Sequence, residues 1–154
     1  MIDIEKEYTK YRWFFTSSGK LVIGGKSAEQ NDLLLKKLKK HGSDFYIMHT
    51  SSPGSPFSAI ISPKEMVTEK DLKETAIFTG CFSKLWKTGN KNSIIDVFSL
   101  SDIFKNSSMK TGTWSVKKLT NKIPVKLELI LTFQKDKLRA IPEISLNKNS
   151  EKIA

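Results

Sequence analysis

Apolar, β-prone residues fill positions 11–15 and return at 21–23, with Thr16, Ser17, Ser18, Gly19 and Lys20 between them. Two such runs around a short polar stretch containing a glycine predict an antiparallel hairpin. Gly24 and Gly25 follow, then Ser27 with Gln30 three residues on, and then Leu33, Leu34, Leu35 and Leu38. This capping-box spacing predicts a helix over 28–40, stopped by Gly42. Positions 44–48 and 57–61 read as short buried strands, with Pro53 and Pro56 keeping the loop between them out of the sheet. Thr68 and Asp71 repeat the helix-start signal, and Leu72, Ala76, Ile77, Phe82, Leu85 and Trp86 predict a second helix, apolar on more than one side and largely buried. Positions 94–98 read as a strand, 101–104 as a short turn or helix, and 112–116 and 125–133 as the last two strands.

The order ββαββαβββ interleaves strands and helices too irregularly for a doubly wound parallel sheet. It predicts an α+β single domain with a mixed or mainly antiparallel sheet and two main helices. From Lys135 onward, polar residues and Pro142 suggest that the domain closes at 136 and that 137–154 form a polar tail that frays. No linker or internal repeat divides the chain.

Composition supports one folded body: 154 residues, 38% of them hydrophobic and 10% aromatic, can bury a core. Charge adds a functional question. The 26 Lys and Arg, mostly lysines, exceed the 16 acids and give a net charge of +10. The excess concentrates at 84–126, where nine lysines face only Asp96 and Asp102, and at Lys36, Lys37, Lys39 and Lys40. Such a distribution fits a solubilising surface or a nucleic-acid footprint, and charge alone leaves the two tied. The single Cys81 excludes an internal disulfide, and with His41 and His49 it falls short of a closed zinc site, so neither a metal nor a cofactor is expected. The acidic first ten residues and the lack of a long apolar run point to a cytoplasmic protein without a signal peptide or membrane span.

Candidate chemistry sits in three places. Gly24, Gly25, Lys26 and Ser27 end like a phosphate loop, but its first glycine would fall at Lys20, and Leu21, Val22 and Ile23 form a strand there. What remains is a helix start beside Lys26, either an anion site or a plain cap. His49 opens a loop of hydroxyls and glycine, with Ser52, Gly54 and Ser55, which reads as a phosphate- or base-contacting loop or as a plain turn. Lys84, Trp86 and Lys87 interleave lysine with an aromatic, as single-stranded nucleic acid requires, although a Trp at a helix end also serves a core. No serine lies in a nucleophile elbow, and Cys81 falls inside an apolar helix where a thiol is inert packing.

Four stretches, in order, resemble the RNA-binding domain of the NFACT proteins in a standalone form. They are residues 21–32 (LVIGGKSAEQND), 44–49 (a strand ending in His49), 82–86 (FSKLW) and 110–114 (KTGTW). The resemblance spans about residues 12–133 and implies a non-enzymatic module that binds RNA, either tRNA or ribosomal RNA, with the large ribosomal subunit as partner in ribosome quality control. The sequence leaves no room for the amino-terminal domain or helical coiled coil of the larger NFACT proteins, so tail synthesis on a stalled peptide does not carry over. Lys26 stands where the family commonly has Arg, and Thr50 and Ser51 follow His49 where the family has other residues, including an Asp. The RNA-binding residues expected on this basis are Gly24, Gly25, Lys26, Ser27, Asn31, His49, Ser52, Gly54, Ser55, Lys84, Trp86, Lys87 and Lys110. A protein-interaction adaptor and an RNA-modifying enzyme stay open as alternatives, the enzyme requiring His49 to meet Asp44, Asp96 or Asp102.

Overall fold

The computed structural model describes residues 4–52 and 54–146. A short helix α1 (Ile4–Glu7) leads into the expected hairpin, β1 (Arg12–Phe15) and β2 (Leu21–Gly24). Helix α2 (Ala28–His41) starts where predicted: the Ser27 hydroxyl accepts from the Gln30 N–H at 3.1 Å, and Gly42 ends the helix at φ 86°. Strands β3 (Tyr46–Thr50) and β4 (Ser58–Ile61) follow, then α3 (Glu69–Cys81), α4 (Lys84–Lys87) and β5 (Asn92–Ser99). The remaining elements are two short strands, β6 (Ile103–Phe104) and β7 (Ser115–Val116), then β8 (Asn121–Lys126), β9 (Ile130–Gln134) and β10 (Lys137–Ile141).

Six strands form one sheet in the order β1-β2-β4-β3-β5-β8, and every registered pair is antiparallel. The α+β architecture expected from the element order is the one observed. Because side chains alternate across a strand, one row of partners, Trp13, Ile23, Ala59, Ile47 and Phe98, packs with Leu34, Leu35 and Leu38 of α2. The opposite face, with Phe14, Val22, Ile60, Met48 and Val97, packs with Ala76, Ile77 and Phe78 of α3. All four residues of β2 are therefore buried.

Several boundaries differ from expectation for identifiable reasons. The second helix breaks before Trp86: Ser83 turns extended, and its hydroxyl and N–H both return to the Gly80 carbonyl, at 2.6 and 3.1 Å, ending α3. The apolar run 125–133 is not one strand but the end of β8, a buried connector at Leu127 and β9. Pro124 concealed the start of β8; the strand is a sheet edge, where a missing N–H is tolerated. Gly112 is a turn residue at φ 82°, so only Ser115 and Val116 of the run 112–116 pair as a strand. Residues 101–104 divide between a 3-10 turn and β6.

Within the segment after Lys135, residues 137–141 form strand β10 and residues 143–145 a 3-10 turn. Lys135 and Asp136 both take positive φ, 52° and 60°, and make a two-residue hairpin turn between β9 and β10. Its side chains cover the β1 edge: Gln134 exchanges two hydrogen bonds with the Phe15 backbone, at 2.7 and 2.8 Å, and Arg139 donates to the Trp13 carbonyl at 2.8 Å. The rest of the expected tail, 147–154, and Pro53 lie outside the described residues.

The β1–β2 turn is anchored on α3 by two fully buried carboxylates. Glu74 accepts from the Ser17 N–H and hydroxyl at 2.8 and 2.9 Å, while Asp71 receives the Ser18 hydroxyl at 2.7 Å, Lys20 Nζ at 2.9 Å and the Thr68 N–H at 3.0 Å. Burial pushes the Asp71 carboxyl up, but the donors outweigh it and hold the group well below the ordinary carboxylate range. Its stabilising contribution is therefore present above about pH 4 and is lost as pH falls further. Asp71→Ala should cost about 3 kcal/mol at neutral pH. In thermal unfolding followed by circular dichroism from pH 7 to pH 2.5, the variant should also lose less stability on acidification than the natural chain.

Candidate nucleic-acid interface

Helix α3 covers one face of the sheet, while α2 covers the other only in part and leaves Asn92 and Ile94 of β5 and Lys122 and Pro124 of β8 exposed; further polar surface lies at the strand ends and in the loops. At one end, the start of β1, the β2–α2 turn, the loop after β3, the α3–α4 junction and the segment before β7 surround a cleft of about 640 Å³. Ten residues expected from sequence line it: Gly25, Lys26, Ser27, Asn31, His49, Ser52, Gly54, Ser55, Lys84 and Lys87. Three do not. Gly24 is buried within β2, while exposed Trp86 and Lys110 fall outside the lining.

Close backbone approach builds the cleft. A Cβ on Gly25 would lie 2.1 Å from Asn31 Oδ1, so only glycine lets the α2 start close against the strand. Asn31 Oδ1 in turn accepts the Phe57 N–H at 3.1 Å, which ties β2, α2 and the entry to β4 together. The loop after β3 is braced by Ser55, whose hydroxyl accepts the Thr50 N–H at 3.0 Å, and by the Gly54 carbonyl, which accepts the Lys84 N–H at 2.9 Å. The oxygens of Asn31 and Ser55 thus also hold the scaffold.

The helix start is also more occupied than its sequence suggests. Gln30 Oε1 accepts the Lys26 N–H at 2.9 Å while Ser27 accepts the Gln30 N–H, leaving the exposed Lys26 side chain as the local cation. The His49 ring packs at a tilt of 38° against Phe57 with centroids 4.6 Å apart, and Nδ1 lies 2.7 Å from the Thr50 carbonyl. A carbonyl requires a donor, so Nδ1 carries the proton, and burial pushes the imidazole pKa down. Neutral His49 therefore keeps Nε2 as a hydrogen-bond acceptor.

Sequence reasoning missed Arg12 and the side of the cleft built by Thr111–Trp114 as cleft residues, although the latter stretch contributed to the family resemblance. Arg12 gave little signal, being a lone arginine inside an apolar strand. Among the described lining residues, four cations, Arg12, Lys26, Lys84 and Lys87, face one carboxylate, Asp96. That carboxylate already receives Lys122 at 2.7 Å and the Ser51 hydroxyl at 2.6 Å. His49 and Asp96 are cross-strand partners, but no hydrogen bond joins His49 to Asp96, Asp44 or Asp102 among the described residues. Neither is any group of three or more His, Cys, Asp or Glu placed to hold a metal among them. Cys81 is buried, its thiol pushed up to about 12, which leaves it protonated and inert.

The family model for the NFACT protein RNA binding domain matches residues 10–118. The chain belongs to this family. Every residue lining the cleft, from Arg12 to Val116, lies inside the matched stretch of this NFACT domain. The archaeal Rqc2 homolog aRqcH of Methanocaldococcus jannaschii is 36% identical over 84 residues, 54% of this chain and 12% of that protein. The human ribosome quality control complex subunit NEMF is 30% identical over 80 residues, 51% of this chain and 7% of NEMF. Subunit 2 of the complex from Schizosaccharomyces pombe is 26% identical over 125 residues, 76% of this chain and 12% of that protein. The chain thus spans 12% or less of the length of these relatives. The C-terminal part of the fibronectin/fibrinogen-binding protein from Streptococcus suis shares the fold, with a TM-score of 0.67 at 17% identity, over 76% of this chain and 45% of that one.

In this NFACT domain one carboxylate organises the outer wall of the cleft. Asp32 Oδ1 accepts from the Gly112 N–H and from Trp114 Nε1, both at 2.9 Å, with Lys105 Nζ at 3.5 Å. Gly112 approaches α2 so closely that a Cβ there would meet that of Ala28 at 2.7 Å. Burial pushes Asp32 up, and its three donors more than reverse this, leaving the carboxyl below its ordinary value. Asp32→Ala should cost about 2 kcal/mol through the stranded donors. In a nitrogen-15 correlation spectrum the Trp114 indole N–H signal should move while that of buried Trp13 stays in place.

Proposed function

We propose that this domain binds RNA through the basic cleft, as a non-enzymatic module acting in ribosome quality control, with ribosomal RNA or tRNA as its ligand. The observation that carries this reading is the convergence of four cations from separate segments on one cleft that lies wholly within the RNA-binding family match. Lys26, Lys84 and Lys87 neutralise backbone phosphates, a contribution independent of sequence. Neutral His49 accepts a hydrogen bond at Nε2, and a ribose 2′-hydroxyl is the donor that would separate RNA from DNA. The names of the ribosome quality control relatives supply the context.

Fluorescence anisotropy with labelled tRNA, single-stranded RNA and duplex DNA, at several salt concentrations, tests the reading. RNA should bind more tightly than DNA at matched salt. Equal, weak binding of all three would reduce the lysines to a solvated surface. Lys26→Gln with Lys84→Gln keeps the Cβ and Cγ methylenes, including those of Lys84 against Gly54, while removing two charges. The pair should weaken single-stranded RNA binding about tenfold or more and lower the log–log salt slope by about 1.4. Thermal stability should change by no more than about 0.5 kcal/mol per site.

A further inference from the structure

Arg12 is one of two arginines in the chain, and its environment differs from that of Arg139. Each guanidinium covers an aromatic ring, Arg12 at 4.4 Å from the Phe82 centroid and Arg139 at 4.0 Å from that of Trp13. Arg139 also donates to the Trp13 carbonyl at 2.8 Å. The Nε of both arginines is buried and unsatisfied, but Arg12 has no hydrogen-bond or carboxylate partner at all among the described residues. A half-buried cation in this condition is poorly solvated, and burial pushes its pKa down. It lines the cleft that also receives Lys26, Lys84 and Lys87, and the one carboxylate of that lining among the described residues, Asp96, is paired with Lys122.

We infer that Arg12, held over the Phe82 ring, is the phosphate-binding fork of the cleft. A guanidinium offers five donors in a rigid plane that matches two phosphate oxygens, whereas an ammonium offers only a point charge. The Phe82 ring fixes that plane before the ligand arrives, and an arriving phosphate supplies the acceptors and the charge that the free protein lacks. The exposed lysines draw the polyanion in, and Arg12 sets the position of one phosphate. The identity of the phosphate as part of RNA rests on the reading above; the anion site itself does not.

Because the chain has two arginines, nitrogen-15 arginine labelling gives two Nε–H signals, with Arg139 as internal control. The natural protein is titrated at constant ionic strength with single-stranded RNA and, separately, with inorganic phosphate. The Arg12 signal should shift with RNA while that of Arg139 stays in place. Arg12→Lys, which keeps the charge, should weaken RNA binding about tenfold with little change in salt slope. Arg12→Gln should also lower the slope by about 0.7. If RNA binds and the Arg12 signal does not move, Arg12 only packs on Phe82 and the inference is wrong, whether or not the variants fold. If inorganic phosphate moves Arg12 but RNA does not bind, the anion site stands and the RNA reading falls. If neither ligand moves it, there is no anion site.

Discussion

Burial of the central sheet on both faces is the constraint from which the rest of the architecture follows. Alternation along β1 and β2 sends Trp13 and Ile23 towards α2 and Phe14 and Val22 towards α3, so this part of the sheet is closed on both sides. At roughly 25 cal/mol per Å² of apolar surface, this burial is the dominant stabilising term available to the chain. Polar groups are consequently displaced to the strand ends, and the end where β1 and β4 begin and β2 and β3 finish collects them. The cleft is thus a by-product of how the core closes.

Its shape depends on a few contacts made at van der Waals distance. Asn31 fills the space that any side chain on Gly25 would need, and Asp32, the next residue on the same helix, pulls in Gly112 and Trp114. Two adjacent polar residues of α2 therefore hold opposite walls, and both are buried. The oxygens of these two residues accept internal hydrogen bonds that join α2 to the entry of β4 and to the segment before β7. Four cations opposite one already paired carboxylate make a field that attracts a polyanion over about a Debye length, roughly 8–10 Å at physiological salt.

Much of the local architecture was legible in the order of residues. The Thr16 to Lys20 turn and the Ser27 and Thr68 caps depend on side chains reaching backbone groups three or four residues away, and the Gly42 stop on a positive φ that glycine adopts freely. Such short-range chemistry is written where it acts. The β9–β10 hairpin was not legible, because Lys135 and Asp136 adopt positive φ without the Asn-Gly signature usual for such turns. The division between β8 and β9 was hidden for a different reason: Leu127 is apolar because the connector is buried, and apolarity alone does not distinguish a strand from a covered crossing.

The sequence by itself determined that there is an α+β body with a surplus of lysine, and it marked the glycine-bearing turns where a cleft would open. Tertiary structure alone decided which polar groups remain available there. Asn31 and Ser55 look like ligand contacts in the sequence but spend their oxygens on the Phe57 and Thr50 amides. Arg12 looks like an interruption of an apolar strand, yet it reaches Phe82, seventy positions away, and finds no acceptor among the described residues. Hydrogen-bond satisfaction and desolvation depend on what lies nearby in space, and for these residues the deciding neighbours come from distant parts of the chain.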